Sequence, residues 1–205
     1  YKKLPAHHNG LHNGEWLGHR HVLEMRELRG KQVGIVGFGN IGQEVARIAN
    51  GFLADVAFFD PIEVAQSVKD EFKATQMSFE DLLKSSDIIS VHTPLNDATR
   101  GMMNKAAFAK MKPTSIFIAT ARGPVTVEAD LIDALDQGVI AGAGIDVFEE
   151  EPTSNANALF GRDNVVVTPH MAGTTIDTWT RRLDFAFSNI QRVASGEPPL
   201  AQINK

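Results

Sequence analysis

Two groups of residues carry types and spacings that could do chemistry. The first is Gly37-Phe38-Gly39-Asn40-Ile41-Gly42, directly after the apolar run Val33-Gly34-Ile35-Val36, with Asp60 standing 18 residues beyond Gly42. Three glycines at this spacing have separate jobs. The first permits a tight turn, the second lets backbone approach a pyrophosphate, and the third lets a helix pack closely on the preceding strand. A helix opening at Asn40 and Ile41 would present unpaired N–H groups and a partial positive charge to phosphates. Gly37, Gly39, Asn40, Ile41 and Gly42 are therefore expected to form a dinucleotide cradle. Asp60 would accept hydrogen bonds from both adenosine-ribose hydroxyls and repel a 2′-phosphate. No Arg follows it in Pro61-Ile62-Glu63, which favours NAD over NADP.

The second group stands at the ends of later apolar runs: Arg122, Glu151 and His170. A guanidinium can hold a carboxylate or keto oxygen through paired charge-assisted hydrogen bonds. An imidazole can exchange a proton with a substrate oxygen, because its pKa lies near working pH. A carboxylate beside that imidazole orients it and favours its protonated form. Together the three suit hydride transfer between a dinucleotide and a small 2-hydroxy or 2-keto acid.

These residues need a scaffold that brings distant stretches to one edge. Short apolar runs at Gln32–Val36, Ala54–Phe59, Asp87–Val91, Ser115–Ala119, Ile140–Val147 and Asn164–Thr168 read as strands buried on both faces. Amphipathic stretches at Ile41–Asn50, Ile62–Phe72, Phe79–Ser85, Lys105–Met111 and Glu128–Asp136 alternate with them, and Gly138 suits a left-handed helix C-terminus. The expected fold is α/β: a doubly wound, mainly parallel sheet of the Rossmann type, with flanking crossover helices. In such a sheet ligands bind beyond the carboxyl ends of the strands, where His92-Thr93-Pro94, Thr120, Arg122, Asp146 and His170 fall. The organisation expected is a connector over residues 1–29, the dinucleotide-binding domain over 30–173, and a long helix from Thr174 to Ala194 within a closing segment, 174–205.

Composition narrows the alternatives. The 205 residues contain no cysteine, which excludes disulfides and thiolate chemistry and permits a reducing, cytoplasmic setting. A net charge of −5 argues against a nucleic-acid partner, and no apolar run is long enough for a membrane helix. Five of the seven histidines lie in the head (His7, His8, His12, His19, His21). Their spacing does not suit a single helix face throughout, and no metal site is expected there. His92, before a turn, reads as structural. The sequence opens at Tyr1 without an initiator Met, which reads as an excised part of a longer protein.

Taken in order, Val33-Gly-Ile-Val-Gly-Phe-Gly-Asn-Ile-Gly, His92-Thr-Pro-Leu-Asn-Asp-Ala-Thr-Arg-Gly, Ala119-Thr-Ala-Arg-Gly, Gly144-Ile-Asp-Val-Phe-Glu-Glu-Glu-Pro and Thr168-Pro-His resemble the D-isomer-specific 2-hydroxyacid dehydrogenases. The resemblance runs from about Gly14-Glu15-Trp16 to the end. It implies Arg122, Glu151 and His170 as the catalytic trio, Asp146 and the Thr120 backbone at the nicotinamide carboxamide, and Thr93-Pro94 along the cofactor. It also implies a homodimer formed through the cofactor domain. Where the formate dehydrogenase branch typically pairs Gln with the histidine, Glu151 points to a hydroxy acid. Family members carry a separate substrate domain built mostly from an N-terminal stretch on the order of 100 residues. Without it, this chain is expected to bind NAD and to turn over substrate poorly. The competing expectation is a non-enzymatic NAD(H)-sensing regulator on the same scaffold.

Overall fold

Seven strands frame the molecule. In the computed structural model, which describes residues 2–202, they are β1 (Gln32–Val36), β2 (Asp55–Phe59), β3 (Ala74–Gln76), β4 (Ile88–Val91), β5 (Ile116–Ala119), β6 (Gly142–Ile145) and β7 (Val165–Val167). Every neighbouring pair is parallel, in the order β3-β2-β1-β4-β5-β6-β7. The helices are α1 (Leu4–His12), α2 (Asn40–Gly51), α3 (Gln66–Glu71), α4 (Phe79–Ser85), α5 (Lys105–Phe108), α6 (Glu128–Asp136) and α7 (Ile176–Ala194). They fall into two compact units, Tyr1–Pro169, which holds the sheet, and His170–Lys205, which holds α7.

Burial on both sides explains the unbroken apolar character of β1, β2 and β4, whereas one face of β5 is only half-buried and Val166 of β7 is exposed. Alternate residues feed two separate cores. Val33, Ile35, Val56, Phe58 and Ile88 pack with Ala46 and Ala49 of α2 on one face. Val36, Ala57, Ile89, Val91 and Phe117 pack on the other with Leu82 and Leu83 of α4, Phe108 of α5 and Leu131 of α6. Among β1, β2 and β4 each strand thus contributes to both layers, as a parallel sheet covered by helices requires. Caps fix several helix starts: Ser78 accepts the Asp81 N–H, and the Asn104 side chain accepts those of Ala106 and Ala107. Gly138, with φ 65°, follows α6 in the left-handed conformation. In the second unit the Thr175 side chain accepts the Thr178 N–H at the head of α7, and Gly196 (φ 78°) follows its end.

Four expectations need correction. β3 was not anticipated: it is three residues long, and Lys73 before it stands at φ 46°. The helix expected from Ile62 begins only at Gln66, because the Ile62 and Val64 N–H groups bond to side chains instead of continuing a helical ladder. The helix expected to reach Met111 ends at Phe108, after which Lys110 and Met111 make tighter bonds, to the Ala107 and Phe108 carbonyls. β6 spans Gly142–Ile145 rather than Ile140–Val147, although ladder-like bonds from Ala141 to Ser115 and from Asp146 to Ala119 continue the pairing one residue each way.

Candidate functional site

β1 is the switch point of the sheet: the chain goes to β2 and β3 on one side of it, then crosses to β4 on the other. The crevice this creates lies beyond the ends of β1 and β4. Two turns meet there. Gly37 holds φ 92° and donates its N–H to the Phe59 carbonyl at 2.8 Å, while His92 donates its N–H to the Val36 carbonyl at 2.7 Å. A Cβ on Gly37 would come within 3.0 Å of the Thr93 backbone nitrogen and of Thr93 Cγ2. Both the left-handed backbone and the crowding therefore select glycine.

The other two glycines differ in kind. A Cβ on Gly42 would overlap the Gly37 carbonyl oxygen, so α2 sits against the turn at backbone distance. Gly39 faces open space, with nothing within 4 Å of where its Cβ would be. It also immediately precedes α2, in the N-cap position, and no side chain caps that helix. Asn40 and Ile41 are exposed in the first turn. This is a bare helix N-terminus opening on an uncrowded glycine, which fits a diphosphate. The buried Thr93 hydroxyl, without a protein partner, lies in the same crevice.

Asp60, immediately after β2, is held at both oxygens. Oδ2 accepts the Phe38 N–H of the glycine turn at 2.9 Å, and Oδ1 accepts the Ile62 N–H at 3.0 Å. Each oxygen retains acceptor capacity for a ribose hydroxyl. The ring of Phe38 stacks on Phe58 with centroids 3.8 Å apart, which anchors the turn in the core. His92 is largely buried, and its Nε2 lies 2.8 Å from the Ser90 hydroxyl. Burial pushes its pKa down to about 4.

Further along the sheet edge, Thr120 and exposed Arg122 follow β5. Arg122 is extended (φ −146°, ψ 136°), and its Nη1 donates to the Ala121 carbonyl at 2.6 Å. Gly123 ties this turn to the loop after β6, since a Cβ there would fall on the Phe148 carbonyl. That second loop is closed by Glu151, whose Oε1 accepts the Phe148 N–H at 2.9 Å. Arg122 and Glu151 thus belong to two turns in backbone contact. Asp146, only 4% exposed, accepts the Thr168 hydroxyl at 2.5 Å and donates its N–H to the Ala119 carbonyl at 2.9 Å. Pro94 opens the loop after Thr93. His170 is the first residue of the second unit, exposed and with φ 51°.

The sequence reading passed over Thr168 and Ser90, the hydroxyl partners of Asp146 and His92. Thr168 lay within the motif Thr168-Pro-His, and the hydroxyl itself was the available signal. The reading also passed over the clasp by which Glu128 and Glu149 each accept the other's backbone N–H, at 3.1 and 3.4 Å. Among the described residues, no group of three or more His, Asp or Glu is arranged to hold a metal ion. A cavity of about 580 Å³ opens over Ile116, Ile118 and Val166 beside residues 2–5, and none of its lining residues belongs to the candidate site.

The chain is similar to known proteins. The family profile described as D-isomer specific 2-hydroxyacid dehydrogenase, NAD binding domain, matches residues 1–172. A glyoxylate reductase of Pyrococcus furiosus is 42% identical over 179 residues, covering 87% of this chain and 53% of that protein. A hydroxypyruvate reductase of Blautia hydrogenotrophica is 35% identical over 198 residues, covering 94% of this chain and 61% of that one. Among solved structures, a D-lactate dehydrogenase with NAD+ from Lactobacillus jensenii superposes with a TM-score of 0.89 at 30% identity, covering all of this chain and 64% of that one. The chain therefore spans about half to two thirds of the length of these relatives.

Proposed function

The chain belongs to the D-isomer-specific 2-hydroxyacid dehydrogenase family, and we propose that it forms the NAD-binding part of an oxidoreductase that reversibly reduces a small 2-keto acid to the D-2-hydroxy acid. One observation carries the reading. The bare glycine turn with Asp60, and the linked turns of Arg122 and Glu151, stand at the same carboxyl edge of one parallel sheet.

The cofactor part of the reading is the best supported by geometry. Gly37, Gly39, Asn40, Ile41 and Gly42 hold the diphosphate through backbone N–H groups, Asp60 takes the adenosine ribose, and Thr93-Pro94 border the crevice. Asp146 and the Thr120 backbone grip the nicotinamide carboxamide. NAD, when bound, supplies or takes up the hydride. The substrate's carboxylate or keto oxygen is held by the Arg122 guanidinium, whose planar donors suit a carboxylate. His170 delivers a proton to the substrate oxygen during reduction and removes it during oxidation. Glu151 is assigned as the carboxylate that orients the imidazole and favours its protonated form; this pairing rests on the family's motifs and on residue chemistry.

The substrate class is a short 2-keto acid, as the names of the glyoxylate, hydroxypyruvate and lactate relatives suggest. A cytoplasmic homodimer completes the reading. It draws on the cysteine-free composition and on the prevalence of two-fold assemblies. No helix among the described residues is long and apolar enough to cross a membrane.

The test is His170→Gln in the intact protein, assayed by NADH consumption against a panel of 2-keto acids. Turnover should fall by about 10²-fold or more, the ordinary contribution of a general acid. The dissociation constant for NADH should stay within about twofold. A large loss of NADH binding, with turnover per bound cofactor intact, would remove His170 from the chemistry.

A further inference from the structure

The unanticipated strand β3 ends in Gln76, whose side chain reaches back to the loop that follows Asp60. Its Nε2 donates to the Ile62 carbonyl at 3.1 Å and to the Asp60 carbonyl at 3.3 Å, while its Oε1 accepts the Val64 N–H at 3.2 Å. Three backbone groups spread over residues 60–64, two acceptors and one donor, are met by a single planar amide. No other side chain of that length can do this: Glu offers no donor when ionised, and Lys and Arg offer no acceptor. Only one orientation of the amide satisfies all three groups.

The loop so held is the one whose Ile62 N–H fixes Asp60 Oδ1. Ile62 is therefore bound at both ends, its N–H by Asp60 and its carbonyl by Gln76. Pro61, which has no N–H, cannot add a second tie from within the loop. Asp60 is left with two restraints of different origin, the glycine turn through Phe38 and the Gln76-pinned loop through Ile62.

We propose that Gln76 is a positioning residue for cofactor selection: by pinning residues 60–64 it sets the Asp60 carboxylate where it meets the adenosine-ribose hydroxyls and excludes a 2′-phosphate. The inference rests on the NAD-binding reading above. Pre-organisation of this kind makes affinity depend on a residue that never touches the ligand. Loss of Gln76 frees the loop and one Asp60 oxygen, and the carboxylate no longer meets the ribose in a single geometry.

The experiment compares NAD+ with 2′-deoxy-NAD+ binding to the 205-residue chain by calorimetry, in the wild type, Gln76→Leu and Gln76→Glu. The wild type should prefer NAD+ by about tenfold, the lower end for a hydrogen bond to a charged group. Both variants should show a preference of about threefold or less. Gln76→Glu keeps the acceptor for Val64 and faces two carbonyls with a carboxylate, so it serves where Gln76→Leu does not fold. A purely structural role would weaken both nucleotides equally and leave the ratio intact. An unchanged ratio in a folded variant overturns the proposal, as does a wild type that binds NAD+ without preferring it to the deoxy form. A wild type that binds neither nucleotide refutes the NAD-binding reading itself, and with it this inference.

Discussion

His92 makes the stability of the first unit depend on pH in a window that can be worked out in advance. Its imidazole is largely buried at the end of β4 with Nε2 on the Ser90 hydroxyl, and burial lowers its pKa from the ordinary 6.5 to about 4. The unfolded chain therefore takes up the proton first as pH falls. The stabilisation from keeping this group neutral is complete above about pH 6.5 and is lost progressively as pH drops towards about 4. The whole shift corresponds to about 3 kcal/mol, of which about 2 kcal/mol is lost by about pH 5. With an m-value of about 1–3 kcal/mol/M, the urea midpoint should fall by roughly 1 M between about pH 7 and about pH 5. Two paired carboxylates titrate at lower pH. Lys112 and the Gln32 N–H hold Asp87 below its usual range despite burial, and Lys110 and Lys84 hold Glu80 at about 2, so their losses come at lower pH. His92→Gln keeps a polar partner for Ser90 and removes the titration; its midpoint should be nearly flat over the same interval. Parallel profiles for wild type and variant, or a His92 C2-proton titration by NMR centred near 6.5, would refute the argument.

Two glycine substitutions separate folding from binding. Gly39→Ala adds a methyl where nothing lies within 4 Å, at a φ of −75° that alanine adopts freely. Thermal stability should therefore hold while NADH affinity falls by about tenfold or more, read by fluorescence titration. Gly123→Ala is the converse: its Cβ would land on the Phe148 carbonyl, so the Arg122 and Glu151 turns must part. Urea unfolding should show a loss of about 3 kcal/mol or more, and the intact enzyme should lose turnover with it; an alanine variant of wild-type stability would show that these turns do not touch.

The parts of the fold legible in the sequence are those where one physical demand dominates. β1, β2 and β4 are buried on both faces, and such burial leaves a continuous apolar run that no helix of this length would need. The glycine turn is legible for a similar reason: a left-handed φ at Gly37 and a backbone contact at Gly42 each exclude a side chain, the open face at Gly39 leaves room for a ligand, and the three together fix a spacing. β3 is illegible because Ala74-Thr75-Gln76 is a short edge strand with only Ala74 buried, so it has no apolar run to announce it. The start of α3 is illegible because the Ile62 carbonyl and the Val64 N–H are taken by Gln76, a side chain on another strand.

The same division runs through the site. Residues that would touch a ligand are written in type and spacing, whereas the groups that hold them are read only from contacts between distant stretches. Asp60 could be picked out by its distance from Gly42; nothing in the chain near it points to Gln76, which lies 16 residues on and acts through the backbone of Ile62. Glu151 could be picked out by its place before Pro152, but the tie between its turn and that of Arg122 depends on the bare backbone of Gly123 against Phe148. Substitutions at these supporting positions should therefore alter selectivity and geometry before they abolish binding. Substitutions at the glycines and at Asp60 should act on binding directly.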